Sequence, residues 1–404
     1  MRFFRTSLFL SVLPCLISAT TFNSEWGNFL YLRQDRIDSS RSLVNYYEGL
    51  NFQVRKISGT DISAFACVNA TNGFVGLSRK NIEVVHGYVD WDDIAKSIDL
   101  RLGRQRIFKG IKPVYIDGLR LQARIGSAVE VFGYGGARVV SRYSPDYFAA
   151  QIDSNGFDAG LRAQARIAHT LAGLTFHQSY TGTTSADREA AIDVSQFFDN
   201  AYARSFLTYS IASRAVQGFQ ITGSWQPVSR LDLFGSVSRS NEARIDSSNI
   251  FLIKVFRDYY EADASASYLI SKKLQSMVGY SARMIDKAEP AHEAYCRVNN
   301  DRFSGKLTQR WGYGGTETRA DIGAQLVNVW ILGSRLDAGF LRYTRDDSPN
   351  TAQLAWIGDF SIAALPIVQW WNFRIGIQAM GNPFYDYDVR AYLQTRIQFA
   401  RFFK

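Results

Sequence analysis

The chain contains 404 residues, of which 46% are hydrophobic and 14% aromatic, and its formal net charge at pH 7 is +9. Gly is frequent, at 31 residues, and Pro is scarce, at 8, a combination that favours long strands and tight turns over helices. Beyond the first twenty residues no run of 18 or more apolar residues occurs, which excludes an ordinary membrane-spanning helix.

The N-terminus has the three regions of a secretory signal peptide in order. Arg2 and Arg5 supply positive charge, residues 7–17 form an apolar stretch too short to span a bilayer, and residues 18–20 are small. We therefore predict a signal peptide at 1–19 and one exported domain at 20–404. The alternative is a buried N-terminal strand or helix.

Hydrophobicity alternates with a period of two residues in segments of about ten residues. In 260–270 every even-numbered residue is Tyr, Ala or Ile, whereas 261, 263, 265 and 267 are Glu, Asp or Ser. A strand places these two sets on opposite faces, and a helix would mix them. The same alternation recurs in 161–167, 219–225, 302–311, 353–362 and 372–378.

Aromatic residues lie at the ends of several apolar faces, as in Trp225, Trp311, Tyr260 and Tyr268, which is typical of the two interfacial girdles of a membrane barrel. The chain is therefore predicted to be all-β, a single transmembrane antiparallel β-barrel of 16–18 strands, with 18 preferred. Its predicted location is the outer membrane of a Gram-negative-type bacterium. A soluble β-sandwich or solenoid is the alternative.

Turns and loops divide the alternating segments. Short turn sequences occur at 125–128, 226–229, 271–273 and 332–334, and longer polar stretches at 179–188, 238–248 and 288–301. These predict short periplasmic turns and longer extracellular loops. The last segment, 389–403, alternates to the penultimate Phe403, which is the kind of terminal strand that the barrel-assembly machinery recognises.

Arginine dominates the basic residues, with 35 of the 46. Guanidinium groups keep their charge in a confined lumen and bind carboxylate or phosphate groups. The predicted pore-lining residues are Arg101, Arg104, Arg120, Arg124, Arg162, Arg166, Arg204, Arg302, Lys306, Arg310, Arg319, Arg374, Arg390 and Arg396. Alternatively they merely fill a polar interior by pairing with carboxylates, the candidates being Glu130, Asp232, Glu261, Asp263, Asp321, Asp337 and Asp359.

Residues 101–136 resemble a segment of porin-like outer-membrane proteins of the alginate-export type. In that family GRQ ends a strand, DGL follows a loop, and FGG ends a hairpin. The matching positions here are 103–105, 117–119, and 132, 133 and 136, where FGG is split as FGYGG. The opening residues 25–35 are similar to that family's first strand. The resemblance implies an 18-stranded barrel and a basic conduit for polyanions or small anions. Gly103 permits a bulge or a close approach, and Arg104 is expected beside Arg120 and Arg124.

Enzyme chemistry finds little support in the sequence. His177 and Ser179 lie two apart on one strand face, where a base reaches a hydroxyl, but a chance His-x-Ser is common in strand-rich chains. Residues 90–93 are read as a turn, with a weak calcium site as the alternative. Cys67 and Cys296 form no metal or redox motif, and we predict no enzyme activity, cofactor or metal.

Together these patterns predict a porin-like channel whose arginine-rich lumen passes small, anionic solutes passively. Two alternatives stay open: an export conduit for an acidic exopolysaccharide, and a structural barrel with a plugged lumen. The expected partners are outer-membrane lipid and lipopolysaccharide, the barrel-assembly machinery, and small anionic solutes or a polyanion. Nucleic acid is not expected, because the basic residues are spread over every strand rather than clustered.

Overall fold

A computed structural model of the protein describes residues 19–402, apart from 35–41, 58, 73–79, 108–113, 145–146, 183, 241–243, 250–251, 257, 286–287, 314, 330–331, 346–347, 365–370 and 383–384. Residues 1–18 of the predicted signal peptide and the penultimate Phe403 lie outside the described residues. Among the described residues no helix is long and apolar enough to cross a membrane.

The described chain folds into 24 strands. They are β1 (Ala19–Gln34), β2 (Ser42–Ile57), β3 (Ile62–Asn72), β4 (Lys80–Ile94), β5 (Ile98–Ile107), β6 (Val114–Ile125), β7 (Val129–Ser144), β8 (Tyr147–Ile167), β9 (Thr170–Thr181), β10 (Thr184–Phe197), β11 (Ala201–Ser210), β12 (Ala215–Val228), β13 (Leu231–Ser240), β14 (Arg244–Asn249), β15 (Leu252–Phe256), β16 (Tyr259–Ser271), β17 (Leu274–Ile285), β18 (Ala291–Asn299), β19 (Phe303–Gly312), β20 (Glu317–Val329), β21 (Leu332–Arg345), β22 (Ser348–Ala364), β23 (Trp371–Asn382) and β24 (Tyr385–Phe402).

The main sheet closes on itself. β1 pairs antiparallel with both β2 and β24, with Thr21 opposite Phe402 at the seam. This sheet contains 22 strands, and β14 and β15 form a separate two-stranded sheet. The all-β antiparallel barrel is confirmed, but the preferred count of 18 strands is wrong. An even number of strands leaves the first and last strands antiparallel, as closure here requires.

Two predicted loops contain strand residues, and one of them adds a whole strand to the count. Residues 288–301 contain β18, and the predicted loop 179–188 is a tight hairpin in which Thr181 ends β9 and Thr184 begins β10. The predicted turn at 332–334 is also wrong, because Leu332 begins β21. The turns at 126–128 and 272–273 are confirmed. Lumen-facing strand residues are polar, as loop residues are, so polarity alone does not distinguish the two.

Burial is inverted relative to a soluble protein. On β8 to β10 the apolar side chains of Leu161, Leu174 and Ile192 are 53–58% exposed, whereas the neighbouring Arg162 and Asp193 are 5% exposed. Soluble folds bury the apolar set and expose the charged one. An apolar outer face around a polar interior is the arrangement of a transmembrane barrel.

The two ends of the barrel differ in their connections. One end, named here the terminal end, holds the first and last strand residues, Ala19 and Phe402, and turns such as 95–97 and 168–169. The opposite end, named the distal end, carries the connection 241–258, which contains β14 and β15. Distal hairpins such as that between β9 and β10 are also short, so the predicted asymmetry of loop length holds for only part of the chain.

Three glycines on adjacent strands, Gly103, Gly118 and Gly136, form a row across β5, β6 and β7. Gly103 has a φ of +125°, and a Cβ on Gly118 would lie 2.2 Å from the carbonyl oxygen of Gly135. Only glycine permits so close an approach of two backbones. These are the glycines of the sequence resemblance, and their position agrees with the close approach predicted at Gly103.

Candidate functional site in the barrel lumen

The distal part of the β7–β8 hairpin leaves the barrel wall. Pairing shifts from Ala137–Phe157 to Val139–Ile152, and β8 also approaches β4 and β6, with which it does not pair. Three strands separate β8 from β4 in the wall, so this approach requires the hairpin to bend away from the wall. The glycine row lies where the bend begins, and the sequence did not predict which segment would bend.

The bend is directed into the lumen. Ile107, Ile116, Phe132 and Tyr134 form an apolar cluster, named here the inward cluster, in which no side chain is more than 9% exposed. In contrast, Leu102, Leu119 and Leu121 on the outer face of β5 and β6 are 43–60% exposed. The inner side of β5 to β7 is therefore covered, whereas the outer side is not. This difference means that the hairpin bends inward and narrows the lumen.

A chain of hydrogen bonds joins the inward cluster to β8 and β9. The hydroxyl of Tyr134 lies 2.8 Å from Nδ1 of His177, and Nε2 of His177 lies 3.0 Å from Oγ of Ser179. Ser179 donates to Asp158 at 2.6 Å, and Arg138 pairs with the same carboxylate. The serine hydroxyl thus points its proton at a carboxylate, and His177 is 1% exposed. This geometry favours a structural network over a nucleophile and base.

Arg162 is in the most deeply buried arginine–carboxylate pair among those described. Its guanidinium contacts both oxygens of Asp193, at 2.6 and 3.0 Å, and Oγ1 of Thr175 at 2.9 Å. Gly173 on β9 makes room for it, since a Cβ there would lie 2.2 Å from Nη2 of Arg162. The bidentate pair joins β8 to β10 across β9 and stiffens this part of the wall.

Nine of the fourteen predicted pore-lining side chains are in ion pairs on the described strands: Arg101 with Asp90, Arg104 with Asp117, Arg124 with Asp93 and Asp99, Arg162 with Asp193, Arg310 with Glu293, Arg319 with Asp321, Arg374 with Asp359, Arg390 with Asp388, and Arg396 with Glu25. Of the candidate partners, Glu261 and Asp337 also pair, with Arg283 and Arg335. The alternative interpretation, a polar interior neutralised by carboxylates, accounts for eight of these arginines. Arg104 is the exception: it shares a face of β5 with the exposed Leu102, and Asp117 shares a face of β6 with the exposed Leu119. This pair therefore lies on the outer face, and not in the lumen beside Arg120 and Arg124 as the sequence predicts.

The other five are not in ion pairs with described residues. Arg120 lies 5.7 Å from the Phe132 ring centroid, and its Nε has no hydrogen-bond partner. Arg166 and Arg204 are exposed on β8 and β11, and Arg302 is exposed in the turn between β18 and β19 rather than on a strand. The ammonium of Lys306 lies 5.0 Å from the Tyr295 ring centroid. The contact of these five side chains with a solute stays a prediction.

The lumen contains a cavity of about 700 Å³ between β10 and β18, named here the acidic cavity. Four carboxylates and two guanidinium groups line it: Glu189, Glu261, Asp263, Glu293, Arg239 and Arg283. Phe206, Phe234, Tyr259 and Tyr295 supply aromatic faces. The sequence predicts Glu261 and Asp263 only as partners of arginine. In the structure Glu261 is in an ion pair with Arg283, and Glu293 is in one with Arg310.

A second cavity of about 340 Å³ lies between β18 and β22 and is named the basic cavity. Four cationic and three acidic side chains line it: Arg297, Lys306, Arg319, Arg335, Asp321, Asp337 and Asp359. Arg297 is absent from the predicted pore-lining residues, because the polar stretch 288–301 predicts a loop. The alternation of Glu293, Tyr295 and Arg297 within that stretch is the signal that indicates a strand. Neither Arg297 nor Lys306 is in an ion pair with a described residue.

The residues considered for calcium are engaged otherwise. Asp90 is in the ion pair with Arg101, and Asp93 is in the one with Arg124. In the part of the chain that the structure describes, no group of three or more His, Cys, Asp or Glu side chains is arranged to hold a metal ion.

Comparisons with known proteins bear on the fold. No family model matches the chain, and no curated protein matches it. The structure of the P pilus usher (PapC) translocation pore is 8% identical, has a TM-score of 0.53, and matches over 94% of this chain and 99% of that one. Pseudomonas aeruginosa OpdQ and OccK7 (OpdD) are 10% and 11% identical, each with a TM-score of 0.44, over 94% of this chain and 98% of theirs.

At 8% identity the similarity to the usher pore shows the fold alone. The resemblance to the alginate-export type is finer than these matches and stays a prediction, as do the pore-lining roles of the arginines. The chain thus has the closed β-barrel fold of that translocation pore, with an apolar outer face, a polar lumen and one hairpin bent inward.

Proposed function

We propose that this protein is a passive outer-membrane channel for small polar solutes, with a preference for anions. The observation that carries the proposal is the inverted burial: a closed barrel with exposed leucines outside and charged side chains inside suits a water-filled path through lipid. Lipid and lipopolysaccharide would then surround the outer face, with the terminal end in the periplasm.

The anion preference rests on a few residues rather than on all the arginines. Most of the predicted set is neutralised by carboxylates, and a paired guanidinium exerts little field at a distance. Arg204, Arg297 and Lys306 face the lumen without such a partner among the described residues. They would lower the barrier to an anion in a narrow passage.

The test is single-channel recording from the refolded protein in planar bilayers. We expect open steps and a reversal potential in a salt gradient that indicates greater permeability to chloride than to potassium. Current that is absent until a polyanion opens it, or a baseline that a polyanion blocks, would favour exopolysaccharide export instead. Complete electrical silence would contradict the channel and favour a plugged structural barrel.

The double substitution Arg297→Gln with Lys306→Gln should reduce the chloride-to-potassium permeability ratio about twofold or more, because two charges a few ångströms from the ion path are lost. Reversal potentials measured in the same salt gradient give this ratio. Arg302→Gln, in the turn at the terminal end, is the matched control and should change it little. If the double variant keeps the parental ratio, these two residues do not set the preference.

A further inference from the structure

We propose that two copies of this chain pair side by side in the membrane through the outer faces of β24, β1 and β2, about a two-fold axis along the membrane normal. These are the strands that meet where the barrel closes. The proposed contact lies outside the lumen, so it goes beyond the channel function and does not depend on conduction.

Three polar side chains form a row across this part of the outer face, named here the polar row: Thr395 on β24, Asn28 on β1 and Glu48 on β2. Asn28 is opposite Thr395 in one strand pair and opposite Glu48 in the other. Thr395 shares a face of β24 with Val389, an apolar side chain that is 50% exposed. Because residues opposite each other in a sheet point to the same side, all three members of the row face outward.

The polar row lies within the apolar outer face rather than at its edge. Trp26, Leu50 and Ile397 adjoin it on the side of the terminal end, and Leu30 and Leu393 adjoin it on the side of the distal end. Polar and ionisable groups that face hydrocarbon are costly unless other polar groups contact them. The row therefore requires a cover that lipid tails do not provide.

Hydrogen bonds within the chain satisfy only part of the polar row. Glu48 accepts one from Nε1 of Trp26 at 2.8 Å, and Oδ1 of Asn28 accepts one from the hydroxyl of Tyr46 at 2.8 Å. Trp26 and Tyr46 lie on opposite sides of the row, so the two polar side chains are drawn apart. The amide nitrogen of Asn28 and the second carboxylate oxygen of Glu48 have no hydrogen-bond partner among the described residues.

Charge excludes an acidic lipid as the cover. Asp117, the outward carboxylate of β6, is neutralised by Arg104 at 2.7 Å, whereas Glu48 is in no ion pair with a described cation. An uncompensated carboxylate repels the phosphate groups of acidic lipids. The cover must instead present a hydrogen-bond donor inside the membrane, which a protein surface does.

A second copy of the chain supplies what this face lacks. Asn28 and Glu48 are opposite each other on neighbouring strands, about 5 Å apart. A two-fold rotation about a membrane normal that passes between them exchanges their positions at nearly constant height. The amide nitrogen of Asn28 in each copy then faces the carboxylate of Glu48 in the other, which gives two equivalent hydrogen bonds. A two-fold interface requires a self-complementary surface of this kind.

The first test is sedimentation equilibrium of the refolded protein in density-matched detergent micelles. We expect a monomer–dimer equilibrium that Glu48→Leu weakens about tenfold, because both equivalent hydrogen bonds are lost. Glu48→Gln keeps an acceptor and should retain most of the association. Ser205→Val is the matched control, since Ser205 is an outward polar residue opposite Ile221, on strands far around the barrel from β1. Heat-modifiable electrophoretic mobility shows that each variant is folded.

Cross-linking in native membranes identifies the cover. In a chain whose own cysteines are changed to serine, Leu30→Cys places a thiol beside the polar row, and Ile221→Cys places one on β12, eleven strands away in the 22-stranded sheet. A membrane-permeant bismaleimide should join two copies through position 30 and not through position 221.

A protein that remains monomeric at every concentration would overturn the inference, as would a dimer that Glu48→Leu does not weaken. A product that joins position 30 to a different protein would assign the polar row to that protein and not to a second copy. An electrically silent barrel that still dimerises would contradict the channel but not the pairing. A conducting monomer would contradict the pairing alone.

Discussion

We expect the substitution Gly118→Val to abolish assembly of the barrel. The β-carbon would lie 2.2 Å from the carbonyl oxygen of Gly135 and 2.5 Å from Cα of Gly136. Both are backbone atoms of β7 and cannot rotate away as the end of a side chain can. The strain should exceed about 4 kcal/mol, which is an exceptional effect for one residue. The measurement is the fraction of refolded protein with heat-modifiable electrophoretic mobility.

Gly358→Val is the matched control for this experiment. Gly358 lies in the middle of β22, and a Cβ there would have no heavy atom within 4 Å. This variant should fold to the parental yield. Efficient folding of Gly118→Val would contradict the close approach of β6 and β7 and, with it, the bend that directs the hairpin into the lumen.

The second large effect is expected at the buried ion pair between Arg162 and Asp193. Their side chains are 6% and 5% exposed, so Arg162→Met would leave a carboxylate buried without its cation. Breaking such a pair costs about 3–5 kcal/mol. The free energy of unfolding, obtained from urea titrations of the protein refolded into lipid vesicles, should fall by this amount.

The double variant Arg162→Met with Asp193→Leu separates loss of charge from loss of packing. Removing both charges should restore most of the stability, because no uncompensated ion remains. Arg335→Gln breaks a pair whose side chains are 46% and 37% exposed and should cost less than about 1 kcal/mol. If the double variant is as unstable as Arg162→Met, the loss comes from packing and not from a stranded charge.

The barrel could be predicted from the sequence because apolar and polar residues alternate along every strand that has one face toward lipid and the other toward water. Residues 260–270 show this clearly, and they lie within β16 with Glu261 buried and Tyr260 exposed. The strand count could not be predicted reliably, because lumen-facing residues are polar like those of loops. β18 places His292 on its outer face and Glu293 on its inner face, so its alternation is weak.

The lumen was predictable only in part. The alternation along each strand predicts which residues point inward. On β19, for example, Lys306 and Arg310 lie on one face and Leu307 lies on the other. Whether an arginine is neutralised depends on the register of neighbouring strands, which a sequence does not specify. Arg310 pairs with Glu293 from β18, whose polar sequence predicts a loop. The bend at Gly118 depends on three glycines meeting across strands, which is likewise a matter of register.

The most direct test of the account is the fluorescence of an environment-sensitive probe on two consecutive residues of β12. Single cysteines replace Gln220 or Ile221 in a chain whose own Cys67 and Cys296 are changed to serine, and the labelled protein is refolded into vesicles. Both side chains are exposed, but Gln220 faces the lumen and Ile221 faces outward. The account predicts a blue-shifted emission that lipid-borne quenchers reduce at 221, and an emission that small aqueous quenchers reduce at 220. A watery environment at both positions would contradict a membrane-spanning barrel.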